Sequence, residues 1–126
     1  MSDGTPPPAA GAADLPAEDA KLVTLARSAR ARAGSDEGAA VRDDIGRTYA
    51  AASVGLASLR LSALQAAVAA AIASGSERVE AAVVLGVADD LAEADRAVLR
   101  ELGTVTVLLA SPDGRSARSV PVGAPR

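Results

Sequence analysis

Asp43-Asp44 and Asp89-Asp90 place carboxylates side by side, and paired carboxylates can hold Mg²⁺ or trade protons. Both pairs sit where a turn or a helix cap favours aspartate, so structural work is expected of them. Ser62, early in an apolar run, offers a hydroxyl nucleophile but lacks the usual base. The sequence has no histidine, and its one lysine is Lys21. A helix cap or a satisfied hydroxyl is the expected role of Ser62. Arg27, Arg30 and Arg32 could grip a phosphate or an acidic partner, although their spacing describes a solvated helix face. No GxGxxG or P-loop spacing occurs.

The absent residue types narrow the chemistry further. With no cysteine there are no disulfides, thiolate nucleophiles or cysteine-type zinc sites. With no histidine, the commonest general base and transition-metal ligand are gone. Neither a metal nor a cofactor is expected. A net charge of −3 argues against a nucleic-acid partner. No charged-then-apolar signal opens the chain, so a cytoplasmic location is expected.

The 126 residues are 49% hydrophobic but 1% aromatic, with Tyr49 the sole aromatic side chain. The core must be built from Leu, Val, Ile and alanine, enough for one domain. Leu59 to Gly75 organises it. Leu61, Leu64, Val68 and Ile72 recur at helical spacing among alanines, predicting a central buried helix. Arg60, Ser62 and Gln65 interrupt the run, and a bilayer needs about 20 apolar residues, so no membrane association is expected.

Residues 1–13 are rich in Pro, Ala and Gly and are expected to be disordered, as a tail before a domain over residues 14–122. Residues 123–126 are expected to be a flexible end. A first helix opens at Asp14 or Pro16 and ends at Ala33–Gly34, with Leu22, Leu25, Ala26 and Ala29 inward. Strands are predicted over 38–42 and 47–53, joined by an Asp43–Gly46 turn. Val79 to Val87 and Thr104 to Ala110 read as buried strands, and 116–122 as an edge strand. Between them Asp90 heads a third helix with Glu93 as its capping partner, turning Leu91, Ala94, Val98 and Leu102 inward. This order predicts an α/β domain, a three-layer α/β/α arrangement around a mixed five-stranded sheet.

These elements and several local words resemble the cytidine deaminase family: KLVTLARSARARA, GRTYAAASV, LRLSALQAAVAAAIASG and DLAEADRAVLREL, in order from Pro16 to Val120. The resemblance implies that family's fold, with zinc ligands at the starts of two helices. It implies Cys or His, then Ala, then a proton-shuttling Glu at the first, where this chain has Ser62-Ala63-Leu64. It implies Pro-Cys-x-x-Cys at the second, where Leu91 to Asp95 puts alanine and aspartate (Ala92, Asp95) at the ligand positions. The ribose-holding Asn and Glu of the family fall near Ala51 and Ser53.

The expectation is therefore a non-catalytic relative whose remnant pocket comprises Ser62, Ala63, Leu64, Leu91, Ala92 and Asp95, with a remnant ribose site at Ala51 and Ser53. It would act as an oligomeric scaffold, interaction or small-ligand module, forming a homo-oligomer (dimer or tetramer) and meeting a possible protein partner. The alternative is a pyrimidine nucleoside (cytidine) deaminase with altered chemistry.

Overall fold

A computed structural model describes residues 10–11 and 14–123. Helix α1 covers Ala17–Ala33, and Gly34 ends it at φ 63°, a left-handed conformation glycine adopts without strain. Leu22, Val23, Ala26 and Ala29 are buried, and Leu25 is half-buried. This face lies on the sheet so closely that a Cβ on Gly38 would come 2.1 Å from the Ala26 carbonyl oxygen. Gly38→Ala should destabilise the fold by about 3 kcal/mol or more, because a helix carbonyl cannot step aside as a side chain can. Urea unfolding with an unchanged m value checks this.

Strands β2 (Gly38–Asp43) and β3 (Thr48–Ala52) form the expected antiparallel hairpin. A separate ribbon of β4 (Val54–Gly55) and β5 (Arg60–Leu61) leads into α2 (Ala63–Ala73). Then come β6 (Val79–Leu85), α3 (Glu93–Glu101), β7 (Thr106–Ala110) and β8 (Ser116–Ser119). With β1 (Ala10–Gly11), the main sheet runs β1-β8-β7-β6-β2-β3. β6 and β7 pair in parallel, as a strand–helix–strand crossover requires, and the other neighbours are antiparallel.

Alternation along the central strands separates two cores. Ala40, Ala81, Val83, Leu85 and Leu108 face α1. Ala39, Val41, Ala82, Val84 and Leu109 pack with Leu64, Ala67 and Val68 of α2 and Leu99 of α3. The three-layer mixed α/β architecture follows, with five strands at the expected places. Among the described residues no helix is long and apolar enough to cross a membrane.

Four details differ from expectation. The segment expected to be disordered supplies β1, whose Ala10 and Gly11 pair with Ala117 and Ser116 on the open edge of β8; residues 1–9, 12–13 and 124–126 lie outside those described. The central helix starts at Ala63, not Leu59, because Ser62 caps it, and Leu61 belongs to β5. Its Ile72 is 44% exposed rather than in the core. The third helix starts at Glu93, not Asp90. The Leu91 N–H donates to Asp90 Oδ1 and Leu91 is buried, which holds the chain extended past Ala92, and Ala94 faces outward.

Candidate active site

The N-terminus of α2 is built by a reciprocal capping box. Ser62 Oγ accepts from the Gln65 N–H at 3.0 Å, and Gln65 Oε1 accepts from the Ser62 N–H at 2.9 Å. The Ser62 hydroxyl proton is left for a third partner. It goes to Asp95 Oδ1 at 2.6 Å, in the short range of hydroxyl–carboxylate bonds. Asp95 stands in the first turn of α3 and is 2% exposed, so this bond joins the starts of two helices.

A second carboxylate arrives from the link between α1 and β2. Glu37 Oε1 accepts from the Ala63 N–H at 3.0 Å, in the first turn of α2 where the helix dipole favours negative charge. Burial pushes the Glu37 carboxyl above the usual range against the lowering effect of the Ala63 N–H, and the Asp95 charge adds to the rise. Burial also raises Asp95, with the bond from Ser62 holding it back. Buried, mutually repelling carboxylates are the usual means of bringing a general acid and a general base towards neutral pH.

Of the residues singled out in the sequence, Ser62, Ala63 and Asp95 meet here. Ser53 lies close by: its N–H donates to the Glu37 carbonyl at 3.3 Å, and its hydroxyl is hydrogen-bonded to that of Ser35. Leu64 is wholly buried in the core beneath α2, and Leu91 is buried with it. Ala92 caps α3 from an exposed position with no side-chain bond. Ala51 packs half-buried against the core. Glu37 was missed because it lies between predicted elements, and its partner Ala63 is 26 positions away.

The paired aspartates of the sequence do structural work: Asp43 is buried and accepts from Ser76 Oγ and the Arg47 N–H, and Asp90 Oδ1 accepts from Leu91 N–H and Arg96. Arg30 Nε donates to the Asp36 carbonyl. A cavity of about 310 Å³ opens over the carboxyl ends of β6 and β7, lined among others by Gly86, Asp89, Ser111 and Arg118. Such strand ends are where open α/β sheets receive ligands. The lining does not include Ser62, Glu37 or Asp95. Gly86 connects the two places, since a Cβ on it would lie 3.7 Å from Glu37 Cγ.

The zinc that the family resemblance implies needs three protein donors. Positions 62, 92 and 95 supply a hydroxyl that gives its proton to Asp95, a methyl group and one carboxylate. Among the described residues no three His, Cys, Asp or Glu gather closely enough to hold a metal. The donors present do not fit zinc.

A family model described as cytidine deaminase-like matches residues 15–114. No curated protein has a significant match to this chain. Among solved structures, the chain is similar to cytidine deaminase from Burkholderia pseudomallei at 26% identity and a TM-score of 0.70, covering 82% of this chain and 91% of that one. It is similar to the enzyme from Mycobacterium tuberculosis at 29% identity and a TM-score of 0.59, over 78% and 87% of the two chains. The Mycobacterium leprae enzyme, at 23% identity and a TM-score of 0.60 over 79% and 90%, shares the fold. These likenesses overturn the expectation of a non-catalytic protein: the structural neighbours are cytidine deaminases, which points to an enzyme.

Proposed function

We propose that this chain, which belongs to the cytidine deaminase-like family, hydrolyses the exocyclic amine of a cytidine-type pyrimidine nucleoside using carboxylates as its proton carriers. The observation carrying the reading is the convergence of Asp95 and Glu37 on the capped N-terminus of α2. The family match supplies the substrate class.

Asp95, beside the Ser62 hydroxyl, is the base and Glu37, on the Ala63 N–H, is the acid; burial raises both carboxyls. Asp95 takes a proton from water as its oxygen bonds to C4, and Glu37 gives its proton to N3. Asp95 then returns its proton to the amine, the C4–N bond breaks, and the new hydroxyl gives its proton back to Glu37 as the carbonyl forms. Cytidine and water become uridine and ammonia, and both carboxyls end as they began. No step passes through zinc.

The test is turnover of cytidine and deoxycytidine, with uridine and ammonia measured together from pH 4 to pH 9. The expected outcome is equimolar product, with activity rising as Asp95 ionises and falling as Glu37 loses its proton. Both limbs should lie above the pH at which ordinary carboxylates titrate, since both groups are raised. No turnover of any pyrimidine nucleoside would sink the reading.

The same reading takes residues 14–122 as the working domain of a cytoplasmic protein. Homo-oligomeric assembly, as a dimer or tetramer, is part of it: Leu56, Leu59 and Ile72 are 57%, 48% and 44% exposed on and before α2, and burying them would favour association.

A further inference from the structure

We propose that hydrogen bonds close this site in place of a metal ion: Ser62 ties the first turn of α3 to the start of α2 through Asp95, and Glu37 supplies the anion for the helix end. The inference deepens the reading above and shares with it the family membership, which is what implies zinc.

Distance is the first argument. Two ligands on one tetrahedral zinc stand roughly 3.3–3.7 Å apart, given metal–ligand lengths of about 2.0–2.3 Å. Ser62 Oγ and Asp95 Oδ1 are 2.6 Å apart, closer than a shared metal would hold them. The second argument is protonation. The hydroxyl keeps its proton and gives it to Asp95, so becoming an anionic ligand would cost it the proton that makes this tie. The third is ligand number. Ala92 offers a methyl group and Leu64, buried in the core, no ligand atom, and among the described residues no three His, Cys, Asp or Glu gather closely enough to hold a metal.

The test uses the full chain expressed with added zinc and purified without chelator. Elemental analysis should find less than about 0.1 zinc per chain, as expected of a fold not linked to metal binding. EDTA should move Tm by less than about 1 °C, because no ligand is withdrawn from the native state. Stoichiometric zinc, or a chelator-induced fall of several degrees, overturns the proposal. If no nucleoside is turned over, the functional reading fails while zinc content and Tm still decide this one.

Discussion

Asp95→Asn should lower kcat for cytidine deamination by about 10²- to 10⁴-fold, the usual worth of a positioned proton carrier. KM should change little, since the base acts on the water in the transition state and does not grip the nucleoside. The variant separates chemistry from architecture because an asparagine oxygen can still accept from the Ser62 hydroxyl. The tie between α2 and α3 therefore survives while the proton acceptor is lost. Thermal melting should shift by no more than a few degrees. A variant that keeps full kcat would remove Asp95 from the reaction, and one that unfolds would make its role structural.

Asp43→Asn is expected to have a large effect on stability. Asp43 is fully buried and accepts from Ser76 Oγ at 2.7 Å, Arg47 N–H at 2.8 Å, Arg47 Nε–H at 2.9 Å and Ile45 N–H at 3.2 Å. It sits where the β2–β6 register shifts, so it knots the β2–β3 turn to the segment entering β6. An amide brings one acceptor oxygen where two carboxylate oxygens are used, and turns an N–H₂ towards an Arg47 N–H, which can only donate. A fall in Tm of roughly 10 °C is expected for such a loss in a domain of this size.

The same carboxylate sets an acid limit. Burial pushes Asp43 up, but the bonds from Ser76, Arg47 and Ile45 outweigh it and hold the carboxyl down to about 2. An unfolded aspartate titrates near about 3.9, so the stabilisation is complete above that value and is lost as pH falls through about 2. Melting curves from pH 7 to pH 2 should show wild-type Tm falling below pH 4. Asp43→Asn should lack this part of the slope.

The elements most legible in the sequence were those whose signals are local. Gly34, Gly46 and Gly103 mark turns or helix ends and take φ of 63°, 91° and 67°. The apolar runs at 79–85 and 106–110 became the buried parallel pair because side chains covered on both faces leave that composition. The start of α2 was legible but passed over: Ser62-Ala63-Leu64-Gln65 carries a capping box, which outweighs the apolar spacing that drew Leu61 into the helix. Glu37 was not legible. Its meaning comes from Ala63 and Asp95, and no local pattern reports a partner that far along the chain. The Asp43–Ser76 bond is hidden for the same reason, with a turn aspartate recruited inward by a serine 33 residues on. Family words located Ser62 and Asp95 as neighbours without foretelling that they would bond to each other.

The placing of β2 has a bearing on how the chain is made. Its partner β3 emerges from the ribosome directly after it, whereas on its other side Gly38 must wait for Leu85 and Val41 for Ala82. Until α2 and β6 have been synthesised, a strand destined for the middle of the sheet has one side bare. Pairings so far apart in sequence make for slow closure. Nascent chains stalled before Val79 should therefore engage chaperones, and chains released past Ala110 should not, because β6 then has both its neighbours.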